Sequence, residues 1–135
     1  MIGIVIITHG NLAKEFKAVV EHVMGPQTHM CAFCMESDDD ANQKRRELMD
    51  LVKSLDQGAG VAVLTDMFGG TPSNLALSLL DLTNVEVMAG VNLPMLIKLV
   101  SVRDKKPLDE AMKETQEAGK RYINVASHFL MASHE

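Results

Sequence analysis

The feature that most constrains this chain is an apolar run near its start that stops at a histidine. Residues 3–10 read Gly-Ile-Val-Ile-Ile-Thr-His-Gly, with no alternation of polar and apolar positions. Such a run is typical of a parallel strand that helices cover on both faces. The strand would deliver His9 to its carboxyl end, where open α/β sheets bind their ligands. The structural alternative is that His9 only hydrogen-bonds a neighbouring loop.

The rest of the chain alternates short apolar runs with stretches of helical periodicity. Further strands are predicted over 30–35, 61–65 and 85–89, each followed by a helix. This alternation predicts a doubly wound α/β fold with a mostly parallel four-stranded sheet in the order 2-1-3-4, so that the first and third strands are neighbours. Asn11 is predicted to cap the first helix. The apolar faces of the predicted helices run from Leu12 to Val23, Ala41 to Leu55, Leu75 to Leu80, Leu96 to Val100 and Leu108 to Ala118.

The C-terminal segment has a weaker pattern. Gly119 is predicted to end the last helix. Residues 122–126 then suggest a short fifth strand, with a helix as the alternative at this length. Such a strand could pair with a sheet edge of its own chain or of a second copy. The chain is expected to form one domain over 1–126 and a flexible tail over 127–135 in which His128 and His134 have no predicted role.

Composition excludes several classes of function. The chain has 135 residues and a net charge of −5, without a basic stripe, which argues against a nucleic-acid surface. Its apolar runs are shorter than the roughly 20 residues that a membrane span needs, and no basic segment precedes the first of them. A cytoplasmic protein that does not insert into a membrane is therefore expected. A chain of this length buries enough surface to need neither a disulfide nor a metal for stability.

The two cysteines, Cys31 and Cys34, have the C-x-x-C spacing of redox and zinc sites. They fall within the predicted second strand, where residues three apart point to opposite faces. A redox pair instead opens a helix and needs both sulfur atoms together. We therefore interpret both cysteines as buried core residues, and no metal site is predicted.

The loop after the third strand has the composition of an anion-binding turn. Asp66 stands at the end of this strand, and residues 67–74 read Met-Phe-Gly-Gly-Thr-Pro-Ser-Asn. Two glycines permit a tight turn, Thr71 is a preferred helix N-cap, and Pro72 suits the first helical turn. Peptide N–H groups would converge there beside Asp66 and form a cradle for an anion.

The predicted strand order brings His9 and Asp66 together. Neighbouring strands lie about 4.8 Å apart, so the carboxylate can reach one imidazole nitrogen and leave the other unprotonated and nucleophilic. A histidine, an orienting carboxylate and a nest of N–H groups suffice to accept a phosphoryl group, and no metal ion or cofactor is required. The predicted phosphate contacts are Thr8, Gly69, Gly70, Thr71, Ser73 and Asn74.

Three motifs, at the ends of the first, third and fourth strands, make the chain similar to a known family. They are Thr8-His9-Gly10, the loop over 66–74, and Gly-Val-Asn-Leu-Pro-Met over 90–95. Together they resemble the IIA domain of the mannose family of the bacterial sugar phosphotransferase system, from residue 2 to about 126. The resemblance implies that His9 takes phosphate from the carrier protein HPr and passes it to a IIB domain that serves a sugar permease. Asp66 would be the hydrogen-bond partner of His9.

The resemblance also implies partners and an oligomeric state. Family members form homodimers that exchange a C-terminal strand, a role that would fall to residues 122–126. Because this chain ends without the linker and IIB domain of some members, a separate IIB subunit or a regulatory use is expected. The HPr docking rim is predicted from large side chains in loops that have no obvious core to fill. These are Phe68, Leu93 and Met95, and Asn92 is also predicted to contact the partner.

Three alternatives remain open. The phosphotransfer subunit of dihydroxyacetone kinase has a first domain that resembles this fold, although the Gly-Gly-Thr-Pro-Ser-Asn loop favours the mannose type. A receiver-type regulatory domain would be phosphorylated on Asp66 with bound Mg²⁺, but it should have an acidic pair where this chain has Thr8-His9. A flavodoxin-like module would need a phosphate loop for FMN after the first strand, and Gly10-Asn11 is too short for one.

Overall fold

The computed structural model describes residues 1–82 and 84–134 and contains a four-stranded parallel sheet. The strand order is β2-β1-β3-β4, and every neighbouring pair is parallel, as predicted. Strand β1 therefore lies inside the sheet with β3 beside it, which brings their carboxyl ends together. The strands are β1 (Gly3–His9), β2 (Met30–Met35), β3 (Val61–Thr65) and β4 (Val85–Ala89).

Helices follow each strand and cover both faces of the sheet. The fourth strand is followed by three helices, and a 3₁₀ turn over Ser78–Asp81 extends the third helix of the chain. Gly119 lies inside α5 instead of ending it. A glycine is needed there for close packing, because an added Cβ would come within 3 Å of the Met95 side chain. The helices are α1 (Leu12–Met24), α2 (Ala41–Leu55), α3 (Thr71–Leu77), α4 (Leu93–Val102), α5 (Leu108–Arg121) and α6 (Ala126–His134).

Strand β1 explains why its sequence shows no polar alternation. Its side chains enter two cores in turn: Ile4 and Ile6 pack on the side of α1, α4 and α5, and Val5 and Ile7 pack on the side of α2 and α3. All four are fully buried, and burying a side chain of this size stabilises the fold by about 1.5–3 kcal/mol. The strand is therefore a fixed support, and His9 is its one exposed residue.

The C-terminal segment differs from the predicted strand. Residues 123–125 have no regular secondary structure, and helix α6 occupies 126–134, where a flexible tail was expected. The prediction of a fifth strand is therefore wrong for the single chain. Exchange of this segment between two copies stays a prediction.

The two cysteines lie on the edge strand β2 and are free and partly buried. Cys31 packs against the core on the side of α2, and Cys34 packs against the opposite core, so the two side chains point to opposite faces as predicted. Within the described residues no group of histidine, cysteine and acidic side chains could hold a metal ion. None of the helices in the described part of the chain has the length and apolar character that a membrane crossing requires.

Candidate active site

His9 and Asp66 meet at the carboxyl ends of the two central strands. The β1–β3 register pairs Ile7 with Thr65, so His9, two residues after Ile7, and Asp66, one residue after Thr65, emerge at the same edge of the sheet. Oδ2 of Asp66 lies 2.8 Å from Nδ1 of the His9 ring and accepts a 3.0 Å hydrogen bond from the His9 backbone N–H. One carboxylate oxygen thus holds both the backbone and the ring of His9, which fixes the direction of the imidazole.

The second oxygen of Asp66 completes the hydrogen bonding of the carboxylate. Oδ1 accepts from the Met67 N–H at 2.9 Å and from the Thr65 hydroxyl at 3.4 Å. Burial by itself raises the pKa of Asp66, but hydrogen bonds from the His9 backbone, the His9 ring and the Met67 backbone outweigh it and lower the pKa overall. Asp66 is therefore a carboxylate at neutral pH.

An ionised Asp66 determines the tautomer of His9. A carboxylate only accepts hydrogen bonds, so Nδ1 of a neutral imidazole facing it must carry the proton. Nε2 is then the unprotonated nitrogen with a lone pair. The His9 side chain is 54% exposed, whereas that of Asp66 is 15% exposed. The imidazole is therefore half exposed, and the carboxylate that orients it is largely shielded.

Two adjacent glycines are needed beside this ring for different reasons. Gly69 has a φ of +98°, a backbone conformation that other residues rarely adopt. Gly70 has an ordinary φ of −104°, but a Cβ added to it would lie 2.6 Å from Cε1 and 2.7 Å from Nε2 of His9. The turn therefore packs backbone directly against the reactive edge of the imidazole.

Helix α3 starts differently from the prediction. Gly70, and not Thr71, is the N-cap residue, and no side chain caps the helix. Thr71 is exposed and lines a cleft of about 530 Å³ together with His9. Ser73 is fully buried, and Asn74 is exposed with its backbone N–H bonded to the Gly70 carbonyl. The remaining lining residues of the cleft are Gly10, Met35, Glu36, Ser37, Asp39, Ala41 and Pro72.

Thr8 stabilises the backbone next to His9. Its side chain is fully buried, and its hydroxyl accepts a 2.7 Å hydrogen bond from the Ala13 N–H in the first turn of α1. The predicted cap, Asn11, makes no side-chain cap bond. The Thr8 hydroxyl thus ties the end of β1 to the start of α1 and fixes the backbone that carries His9.

The predicted docking residues divide into exposed and buried groups. Phe68 is 56% exposed, and its neighbour Met67, which was not predicted, is 60% exposed. Met95 is only 4% exposed and its side chain lies against Gly119, so the reason for predicting it as a docking contact, the lack of a core to fill, does not hold. Asn92 caps α4 by accepting from the Met95 N–H and donates to the Gly119 carbonyl, and Leu93 is partly buried.

Two residues that contribute to the site were missed. Met67 follows Asp66 directly, and two large apolar residues in a row, Met67 and Phe68, between the strand end and Gly69 were a signal for an exposed loop tip. Thr65 was assigned only to a buried strand, and its bond to the adjacent carboxylate has no signature in the sequence because it depends on the turn of the chain at Asp66.

Comparison with known proteins agrees with this architecture. The profile of the PTS system fructose IIA component, EIIA-man, matches residues 3–116. The chain is 33% identical over 124 residues to the PTS system mannose-specific EIIAB component of Escherichia coli K12, covering 90% of this chain and 38% of that protein. It is 25% identical over 131 residues to the PTS system fructose-specific EIIA component of Bacillus subtilis 168, covering 96% of this chain and 90% of that protein.

Solved structures extend the likeness to three dimensions. The crystal structure of phosphotransferase system component EIIA from Streptococcus agalactiae has a TM-score of 0.86 at 26% identity, covering 95% of this chain and 99% of that chain. The PTS IIA protein associated with the fucose utilization operon of Streptococcus pneumoniae has a TM-score of 0.79 at 30% identity, covering 94% and 95%. The profile match spans most of the sequence, and the chain therefore belongs to the EIIA-man family of PTS system IIA components.

Proposed function

We propose that this chain is a phosphoryl carrier of a sugar phosphotransferase system and that His9 carries the phosphoryl group. The observation that supports this most directly is the contact between Nδ1 of His9 and Asp66, which leaves Nε2 unprotonated on a half-exposed side chain. Membership of the EIIA-man family supports the reaction class. The chain would act as a phosphotransferase with a phosphohistidine intermediate.

The proposed step is a displacement at phosphorus. The lone pair of His9 Nε2 attacks the phosphoryl group of phosphorylated HPr, a new P–N bond forms, and the P–N bond of the donor breaks with its electron pair returning to the donor nitrogen. Nδ1 keeps its proton, so His9 gains positive charge that the Asp66 carboxylate stabilises at 2.8 Å. As proposed, the step uses no metal ion or cofactor.

The phosphoryl oxygens would lie beside the turn that packs against Nε2. Gly70 and Thr71 are the proposed contacts, because Gly70 adjoins Nε2 and Thr71 lines the cleft that contains His9. Asn74 is exposed one helical turn further on. Thr8 has its hydroxyl engaged with Ala13, so we assign it a supporting role.

The partners would dock on the exposed rim around His9. HPr as donor and a IIB subunit as acceptor need only a modest, transient interface. Met67 and Phe68 provide exposed apolar side chains there. Leu93, which follows the end of the fourth strand by a few residues, is partly buried. The name of the E. coli relative pairs IIA with IIB, which supports a IIB partner for this chain. We place the protein in the cytoplasm, where such carriers meet, without direct membrane insertion or nucleic-acid binding.

A homodimer is part of the proposal. Residues 121–130 are all exposed, and this segment includes large apolar side chains that a second copy would cover. Ile123, for example, is 75% exposed. Light scattering of the full-length chain should give a dimer, and Ile123→Asp combined with Val125→Asp should weaken it. A full-length monomer at micromolar concentration would contradict the proposal.

The experiment that tests the function identifies the phosphorylated atom. Protein labelled with phosphoenolpyruvate, enzyme I and HPr should lose phosphate in acid and keep it in base, since a phosphoramidate hydrolyses once its nitrogen is protonated. A receiver-like domain would instead form a base-labile acyl phosphate on Asp66 that needs Mg²⁺. Base-labile, Mg²⁺-dependent labelling would overturn the assignment to His9.

A further inference from the structure

Ser73 is a buried hydroxyl residue directly below the turn that packs against His9. Its Oγ accepts a 3.1 Å hydrogen bond from the Gly69 N–H and donates a 2.9 Å hydrogen bond to the Gly70 carbonyl. Among the described residues it is the only side chain that hydrogen-bonds the backbone of either glycine. One hydroxyl therefore bridges the two glycines and closes the turn from the inside.

These bonds separate Ser73 from the phosphoryl group. Ser73 is fully buried, and its hydroxyl already has a donor and an acceptor as partners. The Gly69 N–H is likewise engaged. Neither group is available to an anion bound at His9 without breaking the turn. The sequence pattern predicted Gly69 and Ser73 as phosphate contacts. Because the Ser73 hydroxyl is already engaged, its role must be a different one.

Gly70 lies so close to the His9 ring that the turn can move little relative to the imidazole. A single carbon added to Gly70 would approach Nε2 to 2.7 Å, so a displacement of the turn toward His9 by about a bond length produces a clash. If the turn moves away from His9 instead, the Gly70 backbone no longer lies beside Nε2. The ring is thus held between Asp66 at Nδ1 and the turn at Cε1 and Nε2.

We propose that Ser73 is a positioning residue for phosphoryl transfer. Its hydroxyl holds the turn formed by Gly69 and Gly70 at the distance that the phosphorylated imidazole requires, and it makes no contact with the phosphoryl group. This inference rests on the proposed function, since it needs His9 to be the acceptor. Reacting groups displaced by about 1 Å can lose about 10²-fold in rate.

The test compares two serine variants in rapid-quench phosphorylation by phospho-HPr. Ser73→Ala should lower the maximal transfer rate by about tenfold or more with an unchanged KM, because the docking surface is untouched. Ser78→Ala is the matched control: the Ser78 hydroxyl donates to the Leu75 carbonyl at 2.6 Å, directly after α3 and away from His9. It should transfer at the wild-type rate. A Ser73→Ala protein with a wild-type rate, or with only KM raised, would overturn the inference.

A spectroscopic measurement on the wild-type protein covers the case in which Ser73→Ala does not fold. On phosphorylation, the NMR signals of the Gly70 and Thr71 amides should shift, whereas the Gly69 amide should keep its shift because Ser73 still binds it. A Gly69 shift as large as that of Gly70 would contradict the positioning role. Absence of any phosphorylation in wild type would refute the proposed function itself, so the two failures are distinguishable.

Discussion

The two ends of the central sheet use polar groups in opposite ways. At the amino end, the buried Arg103 donates from Nε to the Ile2 carbonyl at 3.0 Å and from Nη2 to the Thr28 and His29 carbonyls at 2.9 Å. Its Nη1 reaches Gln27 Oε1 at 3.3 Å. At the carboxyl end, His9 bonds only to Asp66 through its ring and is half exposed.

The two ends differ in how fully their polar side chains are hydrogen-bonded. Burial lowers the pKa of Arg103 and the nearby Asp104 raises it, with a net lowering, yet a guanidinium remains charged in proteins and has no acceptor atom to offer. Its hydrogen bonds join the start of β1, the α1–β2 loop and the end of α4. The amino end therefore stabilises the sheet, whereas the carboxyl end leaves one nitrogen unsatisfied and reactive. The following predictions, from the largest expected effect to the smallest, test this comparison.

Removing the reactive nitrogen should have the largest effect. His9→Ala should abolish phosphorylation by phospho-HPr, because it removes the half-exposed imidazole that Asp66 orients. The fold should be retained, since the His9 side chain is largely outside the core. Gel-based labelling and circular dichroism measure the two outcomes. Stoichiometric labelling of His9→Ala would move the acceptor to another residue.

Removing the charge next to the ring should slow transfer without ending it. Asp66→Asn can still accept a hydrogen bond but has no charge to stabilise the imidazolium. The equivalent loss in the Ser-His-Asp template is about 10⁴-fold, and we expect a smaller effect, about 10²-fold, because no proton is relayed here. Single-turnover rates with phospho-HPr measure it. A rate within about twofold of wild type would show that Asp66 has only a structural role.

At the amino end of the sheet, replacing Arg103 should reduce the stability of the fold and leave phosphoryl transfer intact. Arg103→Met removes the guanidinium donor from the Ile2 and Thr28 carbonyls and leaves the His29 carbonyl with only its bond from the Ile4 N–H, which should lower the free energy of unfolding by about 3 kcal/mol. Urea denaturation measures this, with the exposed Arg45→Met as the control, expected within about 0.5 kcal/mol of wild type. Folded Arg103→Met should be phosphorylated at the wild-type rate. A selective loss of transfer would mean that the two ends are coupled.

Crowding the ring should slow transfer less than removing the charge of Asp66 does. Gly70→Val places a branched side chain against Cε1 and Nε2 of His9, and the exposed ring can escape only by leaving Asp66. We expect a roughly tenfold lower rate, equivalent to about 1.4 kcal/mol in the barrier. The thermal midpoint, measured in parallel, separates loss of the site from loss of the fold. An unchanged rate would show that the turn moves freely.

The carboxyl end was the more predictable of the two. Unbroken apolar runs ending in His9 and Asp66 imply parallel strands, and the common strand order then makes the two residues neighbours. Arg103 offered no such signal, because its acceptors are carbonyls about 75 to 100 residues away in the chain, and carbonyls are the same in every residue.

The sequence by itself determined the alternation of strands and helices and the placing of His9 and Asp66 at strand ends, since periodicity and strand-end residues are local properties. The strand order, and with it the pairing of His9 with Asp66, followed from the commonest arrangement of so small a sheet. Only the tertiary structure decided that Ser73 turns inward, that Met95 is buried against Gly119, and that residues 126–134 form a helix. These outcomes depend on which distant side chains fill the same space. Close packing depends on contacts between different helices and strands, so it produces no recognisable pattern in the sequence of any single element.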